Sequence, residues 1–164
     1  TLLADPYFPN YGRFAPEDEA LFQRYYDFVV RYENVLALET TPAERARESA
    51  VDLGEIRTQG IRSKGRVVPI VRAGDGFETF NLINFVGIDA SDWNQPTTVA
   101  PTLLENIAVN IEVTRPVERV WAASPDDEAT VPGEVLAFSV KDGVLAVTLP
   151  RLENWSMIVV EYSE

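Results

Sequence analysis

The chain has 164 residues, of which 46% are hydrophobic, and a formal charge of -12 from 26 acidic and 14 basic residues; this composition can bury the core of one domain. Such an acidic chain repels nucleic-acid phosphates and anionic membrane surfaces, and its apolar runs are only a few residues long, so we expect neither nucleic acid nor a membrane as a partner. Because it contains no cysteine and no histidine, it lacks disulfides, thiolate nucleophiles and the usual zinc ligands, and we expect no cofactor and no metal.

The sequence of residues 1–52 predicts a loop, one long helix and a connector. Residues 5–12 combine prolines, a glycine and aromatic residues, which is typical of an ordered loop. A helix is expected from Pro16, because proline suits a first helical turn and acidic residues follow it. Thr40-Thr41-Pro42 should end the helix, and residues 43–52 should connect it to the next element.

The apolar residues of this helix recur at three- and four-residue steps, which places them on one wide stripe that should pack on a core. The stripe consists of Leu21, Phe22, Tyr25, Phe28, Val29, Tyr32, Val35 and Leu36.

Beyond residue 52 the hydrophobic period changes from that of a helix to that of a strand. Short segments rich in valine, isoleucine and aromatic residues predict eight strands, at residues 55–59, 66–73, 77–86, 108–115, 117–123, 134–140, 144–149 and 155–162. The turns Gly74-Asp75-Gly76 and Lys141-Asp142-Gly143 predict antiparallel hairpins. We therefore expect a mainly β fold, with an antiparallel Greek-key β-sandwich over residues 53–164, preceded by a loop and one long α-helix.

Four stretches, in the same order along the chain, carry a resemblance to a known family. They are Tyr7-Phe8-Pro9-Asn10; Tyr25-Tyr26-Asp27-Phe28 with Tyr32-Glu33-Asn34; Asn81-Leu82-Ile83-Asn84-Phe85-Val86-Gly87 followed by Trp93; and Val120-Trp121-Ala122-Ala123-Ser124-Pro125-Asp126 with Leu149-Pro150 and residues 155–161. Together they are similar to the C-terminal region of glycoside hydrolase family 66, the dextranases and cycloisomaltooligosaccharide glucanotransferases that act on α-1,6-linked glucans. Asn81 stands where the family more often has histidine.

The resemblance implies that residues 1–52 are the end of a catalytic (β/α) barrel and that the sandwich follows it. The family's nucleophilic aspartate and acid/base glutamate belong to the barrel upstream of the matched region, so no catalytic residue is assigned to this chain. The first residue is Thr1 rather than Met, and we expect a piece of a longer protein. The expected partner is a catalytic barrel, in the same polypeptide or in a separate chain. A polymeric substrate favours an extracellular or cell-surface bacterial location, and a cytoplasmic one stays open.

Four residues are candidate carbohydrate contacts, because sugars stack on aromatic rings beside amide groups. Trp93 with Asn94 should lie in a loop at the edge of the sandwich, and the resemblance places Tyr7 and Tyr11 in a loop on the substrate face of the barrel. Packing in the core or in an interface is the alternative for these rings. Residues 89–94 have oxygen ligands at spacings that Ca²⁺ could use, but they lack the glycine and the distal glutamate of an EF-hand, and a self-capped turn explains them as well.

Other conspicuous residues are expected to be structural. Trp121 and Trp155 fall inside predicted strands and should pack in the core. The acidic residues 17–19 should complement the helix dipole, and the acidic run 126–128 should be solvated surface.

The leading hypothesis is therefore a non-catalytic C-terminal part of a dextran-active enzyme, which packs against the catalytic barrel and stabilises it. No flexible Gly/Ser linker separates the helix from the sandwich, and this favours docking over tethering. Two alternatives stay open. One is an independent carbohydrate-binding module, which requires an exposed Trp93. The other is the smaller chain of a nicked or split dextranase, which completes the active-site cleft.

Overall fold

The computed structural model describes residues 16–43, 50–58, 65–88, 99–126 and 133–163. Within these residues the chain forms one α-helix, α1 at Pro16–Arg31, followed by a π-helical turn at Asn34–Leu38. The strands are β1 Thr40–Pro42, β2 Val67–Gly74, β3 Phe77–Asn84, β4 Leu104–Glu112, β5 Val117–Ala123, β6 Glu134–Val135, β7 Phe138–Lys141, β8 Val144–Leu152 and β9 Trp155–Tyr162. The prediction of a mainly β fold with antiparallel sheets and one long helix is confirmed.

The strands form two antiparallel sheets that pack face to face. The larger sheet has the order β1-β2-β3-β9-β5-β6, and the smaller sheet has the order β4-β8-β7. Alternate side chains of both sheets meet between them, and the largest of those that are fully buried are Phe80, Leu82, Ile111, Leu145, Leu152 and Ile158. Removing each such side chain from water contributes about 1.5–3 kcal/mol, so this core is the main source of stability.

Strand β9 lies at the centre of the larger sheet and is buried on both faces. Ile158 and Val160 enter the core between the sheets, whereas Met157 and Val159 point to the opposite face and pack against α1. These four residues form a continuous apolar run because β9 packs against a hydrophobic core on each of its two faces. The molecule has three layers, in the order α1, larger sheet, smaller sheet.

The first strand of the larger sheet lies nearer the start of the chain than the sequence predicted. Thr40–Pro42, expected only to end the helix, forms β1 and pairs antiparallel with β2. Proline is tolerated there because β1 is an edge strand. Further along, Val51 and Leu53 are buried in the core between the sheets, and Asp52 forms an antiparallel bridge with Asn110 of β4.

Three strand predictions are wrong in part. The strand predicted at residues 108–115 is β4, which begins at Leu104 and ends at Glu112. Residues 55–58 contain a turn, closed by a backbone hydrogen bond from Ile56, instead of a strand. The single strand predicted at residues 134–140 is divided into β6 and β7, which belong to different sheets. The division occurs at Leu136, which is buried between the sheets while its N–H donates to the carbonyl of Val120.

Both predicted tight turns are present. Between β7 and β8, Asp142 has a φ of 51° and Gly143 a φ of 79°, and two successive positive φ angles define the hairpin turn that matches the twist of antiparallel strands. Gly76, with a φ of 78°, serves the turn between β2 and β3.

Candidate functional site at the helix and its sheet

The four candidate carbohydrate contacts, Tyr7, Tyr11, Trp93 and Asn94, lie outside the described residues, and so do residues 89–94 with their possible calcium ligands. Their roles stay predictions. In the part of the chain that the structure describes, no group of three or more His, Cys, Asp or Glu side chains could hold a metal ion. No helix there has both the length and the apolar character that crossing a bilayer requires.

The contact between α1 and the larger sheet is aromatic. The buried ring of Phe28 meets the ring of Trp155 edge-on, with centroids 4.9 Å apart, and the rings of Tyr32 and Trp121 are 5.7 Å apart. Such pairs contribute roughly 0.5–1.5 kcal/mol beyond the area that they bury. Trp121 and Trp155 do lie in strands, as predicted, but the core that they enter is the one beneath α1.

Both indole N–H groups in this interface have side-chain acceptors. Trp155 Nε1 donates to Asn81 Oδ1 at 3.0 Å, and Trp121 Nε1 donates to Glu161 Oε1 at 2.7 Å. Asn81, which stands where the family more often has histidine, is only 5% exposed. In this chain position 81 therefore supports a tryptophan from within the fold.

Asp126 connects α1 to the turn between β8 and β9. Its Oδ2 accepts the backbone N–H groups of Asn154 and Trp155, each at 2.8 Å. Its Oδ1 accepts the side-chain amide of Asn154 at 3.1 Å and the hydroxyl of Tyr25. The prediction that residue 126 is simply solvated surface is wrong, because four donors surround its carboxylate. Hydrogen bonds to a charged acceptor are among the stronger ones in proteins.

Tyr25 supplies the α1 side of this connection and is itself buried. Burial, and secondly the hydrogen bond to Asp126, raise the pKa of the Tyr25 phenol far above its ordinary value. A phenolate there would lie in a poorly solvated place beside a carboxylate. The hydroxyl therefore remains a hydrogen-bond donor at neutral pH.

A second set of hydrogen bonds fixes the other end of the helical segment. Thr79 Oγ1 of β3 donates to the carbonyl of Val35 at 3.1 Å. Arg72 of β2 donates from Nε to Thr40 Oγ1 at 2.6 Å and from Nη2 to the Thr40 carbonyl at 2.8 Å. The helical segment is thus bonded to the larger sheet near Tyr25 and again beyond Val35.

The other side of α1 has an apolar stripe on its surface. Leu21, Phe22, Tyr26 and Val30 are all exposed, and Phe22, Tyr26 and Val30 follow at four-residue steps, so they share one face of the helix. The sequence predicted that Leu21 and Phe22 would pack with the buried residues of α1, but the described sheet does not cover them. Adjacent exposed apolar side chains often mark contact with another protein or domain.

Hydrogen bonds join the segment that follows β3 to Thr102, which precedes β4. Asn84 Nδ2 donates to the carbonyl of Thr102 at 2.8 Å, and the Thr102 N–H donates to the carbonyl of Val86 at 2.7 Å. Gly87 has a φ of 83°, and a Cβ on it would lie 2.5 Å from Thr102 Oγ1. The positive φ and the close approach of Thr102 therefore favour glycine at position 87.

The outward face of the smaller sheet carries small and polar side chains. The strand register puts Ala108 and Asn110 of β4 on that face beside Ala146 and Thr148 of β8, with Ser139 of β7 next to them. Strands β4, β7 and β8 place no aromatic ring on this face. It therefore lacks the stacking platform that sugar binding usually uses.

The family model of glycosyl hydrolase family 66 matches residues 1–159. The chain belongs to this family. The resemblance that four motifs indicated is thus confirmed, and the interface between α1 and the larger sheet is part of a family 66 fold.

Relatives of this family 66 chain are much longer than it is. It is 27% identical to a dextranase from Streptococcus salivarius, over 98% of this chain and 22% of the relative. It is 26% identical to a cycloisomaltooligosaccharide glucanotransferase from Niallia circulans, over 99% of this chain and 17% of the relative. The crystal structure of a Paenibacillus sp. cycloisomaltooligosaccharide glucanotransferase complexed with cycloisomaltoheptaose superposes with a TM-score of 0.79 at 26% identity, covering 96% of this chain and 23% of that one. The chain spans about a fifth of the length of these relatives.

Proposed function

We propose that this family 66 chain is the non-catalytic C-terminal part of an enzyme acting on α-1,6-linked glucan, and that it packs against the catalytic barrel and stabilises it. The observation that carries the proposal is the exposed apolar stripe of Leu21, Phe22, Tyr26 and Val30 on α1. The length of the relatives supports it, because the matched region is 22% of the dextranase and 17% of the glucanotransferase. The remainder is large enough for a catalytic domain.

In this proposal α1 belongs to two cores. Its inner side, with Tyr25 and Phe28, packs on the larger sheet, and its outer stripe packs on the barrel. Full burial of each large apolar side chain in the stripe would contribute about 1.5–3 kcal/mol. Since α1 passes into β1 through one π-helical turn, the sandwich and the barrel would be held together without a flexible tether.

Two of the described carboxylates, Asp126 and Glu161, accept hydrogen bonds within the fold, which favours structural roles for them. Glycoside cleavage needs an acid and a nucleophile or base that face the same glycosidic bond. Both oxygens of Asp126 accept hydrogen bonds within the fold, and Glu161 accepts from Trp121. The proposed polymeric substrate is too large to import, which favours an extracellular or cell-surface location.

The test uses two valines of similar exposure in the complete natural polypeptide. Val30 of α1 is 65% exposed and Val135 of β6 is 60% exposed. In this chain alone, Val30→Glu and Val135→Glu should each change the free energy of unfolding by no more than about 0.5 kcal/mol. In the complete polypeptide, Val30→Glu should lower Tm and dextran hydrolysis, because it buries a charge against the barrel, whereas Val135→Glu should change neither. Equal effects of the two variants there would contradict the proposal.

The two alternatives predict different results with this chain. An independent carbohydrate-binding module predicts that the chain alone binds isomaltooligosaccharides in titration calorimetry and that Trp93→Ala abolishes the binding. A split dextranase predicts that neither the barrel chain nor this chain hydrolyses dextran alone and that mixing them restores hydrolysis.

A further inference from the structure

The carboxylate of Asp126 is held rigidly on the sandwich. The Asp126 N–H donates to Ser124 Oγ at 3.1 Å, and Ser124 Oγ donates to the carbonyl of Trp155 at 2.7 Å. The carboxylate itself accepts the backbone N–H groups of Asn154 and Trp155. The carboxylate of Asp126 is thus bonded directly to the start of β9, and its backbone N–H is connected to Trp155 through Ser124. This arrangement presents Oδ1 to α1.

The hydrogen bond from Tyr25 to this carboxylate fixes the position of α1 on the larger sheet more closely than apolar contacts can. Ring contacts such as that between Phe28 and Trp155 change little when a helix slides or rotates slightly, whereas a hydrogen bond weakens steeply with misalignment. Tyr25 and Val35 are ten residues apart, which is roughly 15 Å along a helical segment. Bonds to Asp126 at one point and to Thr79 at the other set the direction of that segment on the sheet.

We propose that Tyr25 and Asp126 are positioning residues for turnover by the complete enzyme. This inference rests on the proposed function, in which the outer stripe of α1 packs on the catalytic barrel. The Tyr25 to Asp126 hydrogen bond then fixes the barrel end against the sandwich through α1. A displacement of about 1 Å in a catalytic constellation can cost on the order of 100-fold in rate, so the sandwich contributes to turnover as well as to stability.

The chain offers a closely matched control. The hydroxyl of Tyr162 donates to the carboxylate of Glu78 at 2.5 Å, and Tyr162 is 8% exposed where Tyr25 is 9% exposed. Tyr162 lies in the core between the two sheets, on the face of the larger sheet that is turned away from α1. Tyr25→Phe and Tyr162→Phe therefore each remove a hydrogen bond from a buried tyrosine hydroxyl to a carboxylate. Only Tyr25→Phe removes a bond that holds α1.

The experiment measures kcat and KM on dextran for the complete polypeptide, well below its unfolding temperature. Tyr25→Phe and Asp126→Asn should lower kcat on the order of tenfold with a smaller change in KM. Tyr162→Phe should keep the wild-type kcat while losing as much thermal stability as Tyr25→Phe. Equal kcat/KM values for Tyr25→Phe and Tyr162→Phe would overturn the inference, because both bonds would then be merely structural.

A second measurement separates this inference from the proposed function. If the wild-type polypeptide neither hydrolyses nor transfers α-1,6-glucan, the proposed function is wrong, and amide hydrogen exchange across Pro16–Arg31 then decides the inference. Faster exchange in Tyr25→Phe than in Tyr162→Phe supports fixation of α1 by Asp126. Equal exchange in the two variants overturns it.

Discussion

The amide oxygen of Asn81 accepts the indole N–H of Trp155 at 3.0 Å, from the strand beside it in the larger sheet and directly beneath α1. The two residues are 74 positions apart in the sequence. The bond satisfies a polar group that would otherwise lie among the rings of Phe28 and Tyr25.

The stability of Asn81 variants should depend on whether the new side chain can accept a hydrogen bond from Trp155. Asn81→Leu should lower the free energy of unfolding by about 1–3 kcal/mol, because the Trp155 N–H loses its partner in a partly buried place beneath α1. Asn81→His should cost less, because a neutral imidazole nitrogen can accept the same bond. Urea denaturation measures both, and an Asn81→Leu variant as stable as wild type would contradict the prediction.

Truncating the buried central ring of α1 should be far more costly than truncating an exposed side chain of the same helix. Phe28→Ala should lower the free energy of unfolding by about 3–5 kcal/mol, because a buried ring is lost from between Trp155 and Tyr32. Val30→Ala, on the exposed side of the same helix, should cost about 0.5 kcal/mol or less in this chain. Similar losses for both variants in chemical denaturation would mean that α1 does not pack as described.

Tyr25 should make the fold sensitive to alkaline pH. Because the pKa of its phenol is raised in the folded state, the folded protein keeps a proton that the unfolded chain loses above its ordinary pKa of about 10. The unfolded state then binds fewer protons, so stability is full below about pH 10 and falls as pH rises further. Urea midpoints at pH 9, 10 and 11 should fall more steeply for wild type than for Tyr25→Phe, and parallel curves would refute the assignment.

Glycine 87 should be more sensitive to substitution than another glycine with a similar backbone. Gly87→Ala combines a positive φ with a Cβ 2.5 Å from Thr102 Oγ1, whereas Gly54, with a φ of 65°, has no atom within 4 Å of such a Cβ. Gly54→Ala should cost on the order of 1 kcal/mol, and Gly87→Ala clearly more. Adding Thr102→Ala to Gly87→Ala should recover part of the difference in thermal unfolding, and no recovery would contradict the steric explanation.

Strand periodicity predicted the centre of the larger sheet well and its margins poorly. The predicted bounds of β5 and β9 match the structure because their β-branched and aromatic residues are framed by turns. β1 was missed because three residues ending in Pro42 contain too little pattern. The change of sheet at Leu136 depends on a backbone bond to Val120, a partner that no local pattern identifies.

The interface could be predicted only in its apolar part. Helical spacing identified Tyr25 and Phe28, but it assigned Phe22 to the same buried stripe, although Phe22 is exposed. The role of Asp126 was missed because its donors come from residues 25, 154 and 155, which are distant in sequence. The two residues that follow it, Asp127 and Glu128, are acidic, and this made solvated surface the simpler interpretation.

The position of β9 has a consequence for the order in which the protein folds during synthesis. β9 joins β3 to β5, and every other strand of the larger sheet precedes it in the chain. When the ribosome has made residues 16–154, strands β1 to β3 and strands β5 and β6 are present as two separate parts of that sheet. The edges that β9 joins are then unpaired, and α1 lacks its contacts with Met157 and Val159. Because the larger sheet cannot be completed before β9 is made, its pairing is non-local, which slows folding. We expect unpaired strand edges to stay open to association until residue 162 has left the exit tunnel.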